Sequence, residues 1–392
     1  MPWRTLDIMG AREEFVLRSL DNSVIFRDLC QEYGISAKTG YKWQRRFIQE
    51  GLGGLKDLSR RPKGHPEELR EDTVCEMVRL KQAHLKWGPR KIRELYRRLH
   101  GDAPSESSFK RVLDRAGLVT HRKKRRQSPK RPPRTVETAG KPNHIWTVDF
   151  KGWWKTAGRQ KCEPLTIRDD YSRFVLALRA MDTSRTAAVR REFEKIFEVH
   201  GLPRVIRSDN GSPFAASHAP LGLSRLSAWW VALGIDLDRI DPGHPEQNGR
   251  HERMHLDIRN ELQGFVRGEL PEHQMAFDMW RNEFNWERPH EALNMKMPGE
   301  VYKNSSRSYD DSLEDIEYPP SYLERKVSPN GVITLYCKKY FLSNSLAGWT
   351  VGLKSNDSSS MDIWFDQLRL GTIDMSTEAV IWADQPRLQL NN

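Results

Sequence analysis

Apolar residues from Ala11 onward, Phe15, Val16 and Leu20, then Phe26, Leu29 and Tyr33, recur at the spacing of one helical face. Gly34-Ile35 interrupts them before a second periodic run over residues 36–49. The spacing predicts a helix-turn-helix outline. In such a unit the second helix lies in the major groove, and its polar face here offers Lys38, Thr39, Lys42, Gln44, Arg45 and Arg46. The basic, Pro-containing stretch 59–64 reads as a linker. Amphipathic segments then follow at 74–85, 88–99 and 105–116, the last with Ser105 placed to cap it, and they outline a second helix-turn-helix. A three-helix unit that only packs gives the same periodicity, so DNA contact is an expectation for both units.

Residues 121–134 are rich in Lys, Arg and Pro and carry no apolar period that could build a core. They read as an extended linker whose Lys124, Arg125 and Arg126 can track phosphates, or else as a solvated tether. Beyond it the pattern alternates. Strands are predicted at 145–154, 164–169 and 174–179, then a helix at 183–200, a strand at 205–207, a helix at 223–233 and a strand at 235–240, which together describe a mixed α/β sheet. Two long helical runs follow at 248–268 and 271–286. From 332 to 372 the chain becomes short strands with turn signals, the outline of a small β-barrel or sandwich.

Composition narrows the partner. The chain of 392 residues is long enough for two to four domains, and its 64 Lys and Arg against 53 Asp and Glu leave a net charge of +11. A pI near 9.4 makes nucleic acid the leading partner, although a solvated basic surface gives the same balance. Cys30, Cys75, Cys162 and Cys337 are too scattered for a disulfide framework or a Cys-x-x-Cys metal site, which fits a reducing cytoplasm. The first ten residues hold no apolar core of a signal peptide, and no stretch approaches the roughly 18 apolar residues of a membrane span.

Three acidic residues stand where a globular protein rarely places them. Asp149 lies inside the apolar strand Ile145-Trp-Thr-Val-Asp-Phe150, where a charge is costly unless it is paired or binds metal. Asp209 directly follows the strand at 205–207, at a strand's C-terminal end, where open α/β sheets hold ligands. Glu252 falls in the first turns of the helix that begins near residue 248, and Arg259, seven residues on, shares its face. Phosphodiester chemistry suits such a set, because two divalent cations about 3.5 to 4 Å apart stabilise both the attacking and the leaving oxygen. Hard carboxylate oxygens favour Mg²⁺ or Mn²⁺.

The segments Trp146-Thr-Val-Asp-Phe-Lys-Gly152, Asp169-Asp-Tyr-Ser-Arg173, Ser208-Asp-Asn-Gly-Ser-Pro-Phe214 and Pro242-Gly-His-Pro-Glu-Gln-Asn-Gly-Arg-His-Glu252 occur in the order found in DDE transposases and retroviral-type integrases, and the chain resembles that family. Phe284-Asn-Trp-Glu-Arg-Pro-His-Glu-Ala-Leu293, with Pro298 and Tyr302, is similar to the segment that closes the core of bacterial insertion-sequence transposases. The resemblance implies a ribonuclease H-like core at 141–303, behind helix-turn-helix domains at 1–58 and 68–120, while composition and pattern mark a basic linker at 121–140 and a small all-β, barrel-like domain at 325–380. It assigns Asp149, Asp209 and Glu252 as catalytic metal ligands for Mg²⁺ or Mn²⁺, two ions per site. It gives Glu246, in the loop before the helix, no ligand role.

The implied reaction has water attack a phosphodiester at an element end, releasing a 3′ hydroxyl that attacks target DNA in line. The implied partners are double-stranded DNA, both element ends and target, and further copies of the chain, with no membrane, in a bacterial cytoplasm at the nucleoid. His244, Asn248 and Arg259 are candidates to position the DNA. The separation 252 − 209 = 43 exceeds that usual among close relatives, and the extra residues fall at 215–223, read as a surface insertion. The His/Cys zinc unit that begins retroviral integrases is absent. Asp169 and Asp170 read as a hairpin turn, and Trp153, Trp154, Trp229 and Trp230 as core. The competing readings are a helix-turn-helix regulator with a decayed core, a hydrolytic nuclease and an interaction protein.

Overall fold

The computed structural model describes residues 7–58, 69–120, 137–241, 244–310, 316–357 and 359–383, and the chain divides into two compact units, 1–71 and 72–392. Lys124, Arg125 and Arg126 lie outside the described residues. In the first unit α1 (Ile8–Ser19), α2 (Phe26–Glu32) and α3 (Ala37–Glu50) close over Phe15, Val16, Leu29, Cys30, Trp43 and Leu55. Ser36 caps α3, its hydroxyl accepting the Thr39 N–H at 3.2 Å. Gly40 allows α3 to lie against the other two helices, since a Cβ there would stand 2.8 Å from Cys30 Sγ and 2.9 Å from the Phe15 ring.

The second unit begins with α4 (Glu71–Ala83), α5 (Pro89–His100) and α6 (Glu106–Arg115), which bury Met77, Leu80, Trp87, Ile92, Phe109 and Leu113. Ser105 caps α6 as its position predicts. Next come β1 (Ile145–Phe150), β2 (Trp154–Lys155), β3 (Lys161–Asp169), β4 (Val175–Met181), α7 (Thr186–His200), β5 (Val205–Ser208), α8 (Arg225–Ala232) and β6 (Asp236–Arg239). β3 pairs antiparallel with β1 and β4, while β1, β5 and β6 run parallel, giving the mixed sheet the sequence predicts. The strand expected over 145–154 is broken, because the chain leaves the β1 ladder after Lys151 and resumes pairing only at β2.

α7 and α8 cover one face of the sheet, where Trp146, Val148, Leu165 and Ile167 meet Phe193, Phe197, Trp229 and Trp230. α9 (Gly249–Glu261) and α10 (Leu270–Trp286) cover the other, where Cys162, Val175 and Leu178 meet Met254, Ile258, Phe277, Trp280 and Phe284. α9 stops short of the expected residue 268, as Gly264 and Gly268 are poor helix formers. α10 also shields the open edge of β4. Asn285 both donates to Val175 O and accepts from Val175 N, and Gln274 does the same for Leu178 O and Ala180 N, so side-chain amides replace a neighbouring strand.

After α11 (Pro298–Val301) the tail forms β7 (Leu323–Lys326), β8 (Val332–Leu335), β9 (Lys338–Phe341), β10 (Thr350–Ser355), β11 (Ser360–Phe365), β12 (Leu368–Asp374) and β13 (Ala379–Trp382). The order β13-β12-β11-β10-β7 is an open antiparallel sheet, and β8–β9 is a separate hairpin, so no closed barrel forms among the described residues. The apolar face is covered in another way. Ile333, Leu335, Tyr340 and Leu342 of the hairpin region and Ala228 and Val231 of α8 pack against Val351, Leu353, Ile363, Phe365 and Ile373. Leu223 joins the same cluster, and an Ala215–Leu223 bridge closes the segment expected to be a surface insertion. Its base is therefore part of a core.

Candidate active site

Alternation along β1 decides which side chains meet α9. Trp146 and Val148 enter the α7–α8 core, so Thr147 and Asp149 point to the opposite face. There Thr147 Oγ1 lies 2.7 Å from His251 Nδ1, and Asp149 Oδ2 lies 3.8 Å from His255 Nδ1. Thr166, the β3 partner of Asp149, donates its hydroxyl proton to Asp149 O at 2.8 Å and meets His251 Nε2 at 2.6 Å and His255 Nε2 at 2.8 Å. With its single proton committed, Thr166 Oγ1 can only accept from both imidazoles. A lone pair on His255, not an N–H, consequently faces Asp149.

Both histidines are held neutral. Burial first, then Lys151 and Arg168, push His255 down to about 3, and burial first, then His255 and Arg168, push His251 well below its ordinary value. Neither offsets the charge of Asp149. Its carboxyl is pushed up to about 7, first by burial, then by Asp209, with the Phe150 N–H opposing and Glu252 adding to the rise. The three carboxylates predicted from the sequence thus share one electrostatic neighbourhood, with Asp209 and Glu252 exposed and Asp149 a quarter exposed.

Local structure explains each placement. Asp209 ends β5 in a tight turn, its Oδ1 accepting the Gly211 N–H at 3.0 Å, and a Cβ on residue 211 would come 3.0 Å from Oδ2. Arg239 is the β6 partner of Ser208; burial lowers its pKa and Asp209 opposes that shift. Glu252 lies in the first turn of α9, where the helix dipole favours an acid. Among the described residues no three His, Cys, Asp or Glu side chains are near enough to hold a metal ion as they stand. The donor set nevertheless suits a hard divalent cation: oxygen anions only, mutually repelling, with Asp149 accepting no side-chain hydrogen bond among the described residues.

The other predicted residues are spread more widely. Lys38, Lys42 and Arg45 are exposed along one stripe of α3, whereas Gln44 donates to Ser19 O at 3.2 Å and Arg46 stands 5.2 Å from the Trp43 ring centre. Arg259 is exposed, His244 half-buried, and Asn248 buried at the N-cap position of α9. Asp169 and Asp170 form the turn expected of them. Asp169 accepts from Asn143 N, Ser172 N and Ser172 Oγ at 2.6–2.8 Å, and Asp170 pairs with Arg168, Arg173 and Arg250. Trp229 and Trp230 are core and Trp154 packs against it, but Trp153 is exposed. Thr147, Thr166, His251, His255 and Lys151 escape the sequence reading. The signal that finds the histidines is their four-residue spacing on the helix that carries Glu252.

The integrase core domain family matches residues 139–245 and, through a second model of the same description, 233–298. A helix-turn-helix domain matches 12–63 and a homeodomain-like domain 39–113. The insertion element IS407 uncharacterized 31.7 kDa protein of Burkholderia multivorans is 27% identical over 60% of this chain and 82% of its own length. The insertion element IS476 uncharacterized 39.2 kDa protein of Xanthomonas euvesicatoria is 26% identical over 64% of this chain and 71% of its own. Among solved structures, the HTLV-2 integrase catalytic core in complex with magnesium aligns with 42% of this chain and 99% of its own, at 16% identity and a TM-score of 0.33. No helix among the described residues is long and apolar enough to cross a membrane. The integrase core and helix-turn-helix matches, together with the two insertion-element relatives, support an insertion-sequence transposase with an integrase-type core.

Proposed function

We propose that the protein is a DNA transposase that binds the ends of its element, hydrolyses a phosphodiester there and joins the released 3′ hydroxyl to target DNA. One observation carries the reading. Asp149, half-buried in the first strand of the sheet, forms no ion pair with Lys or Arg among the described residues, and burial, Asp209 and Glu252 raise its pKa while the Phe150 N–H and Lys151 only partly oppose them. Three mutually repelling carboxylates at the rim of a sheet cost stability unless a ligand offsets them.

Asp149, Asp209 and Glu252 would hold Mg²⁺ or Mn²⁺, up to two ions, which when bound stabilise charge on the attacking and leaving oxygens. The chain's own residues do the rest. The Thr166 hydroxyl fixes the backbone of Asp149, the Gly211 N–H holds the Asp209 carboxylate, and exposed Arg259 offers a guanidinium to a DNA phosphate. His244 and Asn248 flank the start of α9, where they bear on the same DNA path. Lys38, Thr39, Lys42, Arg45 and Arg46 of α3 read the element ends, with copies of the chain bridging two ends.

The regulator with a decayed core draws on a different observation, the lack of three ligand side chains already gathered among the described residues. Amplification of excised or circularised junctions, from cells carrying the gene with its native flanks, separates the two readings. Junctions with wild type that vanish with Asp149→Asn support the transposase. Their absence from both supports the regulator.

A further inference from the structure

β1 and α9 face each other with nearly matched steps. Every second residue of a strand returns to the same face after about 6.6 Å, and every fourth residue of a helix after about 6 Å. Thr147, Asp149 and Lys151 therefore advance almost in step with His251, His255 and Arg259. The first rung is the 2.7 Å contact of Thr147 with His251, and the second is the 3.8 Å approach of His255 to Asp149. Continued by one step, the same register places Lys151 opposite Arg259. Lys151 lies one residue beyond β1, but its N–H still donates to Pro164 O at 3.0 Å, so the ladder to β3 and the alternation of side chains continue through it.

Several shielded cations of this domain are matched by an acid: Arg168 and Arg173 with Asp170, Arg207 with Asp238, Lys161 with Glu163 and Arg288 with Glu261. Lys151 is half-buried and Arg259 exposed, and neither has a hydrogen bond or ion pair from its side chain among the described residues. Two neighbouring cations without an ion-paired partner among the described residues suit a ligand that carries a shared anion.

We propose that Lys151 and Arg259 form a two-cation clamp for one backbone phosphate of DNA, held by the register of β1 against α9 next to Asp149. The inference rests on the transposase reading for the nature of the anion and adds Lys151 as the member that the strand positions. A phosphate seated between the two cations would lie within reach of the carboxylates, where the bond to be broken must sit.

The test measures binding of wild type, Lys151→Gln and Lys151→Arg to a duplex taken from the sequence flanking the gene, as a function of salt. It is joined by thermal unfolding and by strand joining in Mg²⁺. Loss of one phosphate contact makes the slope of log K against log salt shallower by about 0.9 in Lys151→Gln, and Lys151→Arg restores it. Joining falls roughly 10- to 100-fold, the effect of one charged hydrogen bond, while the melting temperature of Lys151→Gln stays equal to wild type or rises. An unchanged slope, or a lowered melting temperature that Lys151→Arg fails to recover, overturns the clamp. So does stabilisation of wild type by inorganic phosphate that Lys151→Gln loses without any change in duplex binding, which would assign the site to free phosphate. Wild type that binds the duplex but joins nothing overturns the transposase reading alone, because the slopes still decide Lys151. Failure of wild type to bind overturns both.

Discussion

Asp149 and Asp169 lie on neighbouring strands of one sheet, Trp146 of β1 pairing with Asp169 of β3, and both carboxylates are shielded from water. Their surroundings differ in kind. Asp169 is saturated by the Asn143 N–H, the Ser172 N–H and the Ser172 hydroxyl, so it staples the β3–β4 turn to the segment entering β1. Asp149 takes a single backbone N–H, faces a histidine lone pair and is pushed up by two further carboxylates. A buried charge that serves structure is surrounded by donors, and one kept for a ligand is left in need of one.

Exchanging each aspartate for asparagine puts the largest strain on that contrast. Asp169→Asn turns an acceptor toward the Ser172 donors into an N–H₂ group, and the expected cost is about 2–4 kcal/mol, read as a lowered denaturant midpoint. Asp149→Asn should leave stability unchanged or raise it. Equal losses in the two variants would erase the distinction.

The pH dependence of stability sharpens the same point. Folding raises the Asp149 carboxyl from its ordinary value of 3.8 to about 7, chiefly by burial and then by Asp209. Its protonated form therefore contributes stability that is fully present below about pH 4 and is lost as pH rises through about 7. That rise sets a ceiling of about 4 kcal/mol, reduced to about 2 kcal/mol by solvent screening of a carboxylate a quarter exposed. Asp149→Asn should flatten that decline, and Mg²⁺ should raise the wild-type melting temperature more at pH 8 than at pH 6, since the ion binds the deprotonated group. Parallel pH profiles for the two proteins would contradict this account.

A second contrast separates two basic helices that look alike in sequence. On α3, Lys38, Lys42 and Arg45 are exposed without an ion pair among the described residues. On α5 the cations are occupied: Arg98 pairs with Glu300 at 2.7 Å and Glu94 at 2.9 Å, and Arg90 with Glu106 and Glu291. Lys42→Ala combined with Arg45→Ala should flatten the salt dependence of duplex binding by about 1.8, two contacts' worth, with little change in melting temperature. Arg98→Ala should instead cost about 1 kcal/mol of stability and alter duplex binding least. A reversed pattern, stability lost from α3 and salt dependence from α5, would exchange the roles of the helices.

Periodicity carried most of the secondary structure into view. Helices α1 to α8 and the mixed order of strands follow from three-to-four and alternating apolar spacing, because burial of one face is a property of the local pattern. The acidic residues stood out for the same reason, since Asp149 breaks an apolar strand and Asp209 and Glu252 mark element ends. What an individual polar residue does was not legible. Lys42 and Arg98 both lie on basic amphipathic helices, and the presence of Glu94 and Glu300 in space tells their roles apart. Leu223, read as part of a surface insertion, lies in the core of the C-terminal sheet, and that sheet stays open because α8 and the β8–β9 hairpin cover the face that closure would otherwise bury.

The sequence by itself determined where helices and strands form, that the chain is basic, and which three carboxylates stand out, because these depend on near neighbours and on summed charge. The tertiary structure alone decided that Thr166 joins His251 and His255 beneath Asp149, and that Thr147 meets His251 across the same face. Those contacts span separations of about a hundred residues, and they arise only when the step of a strand is laid against the step of a helix.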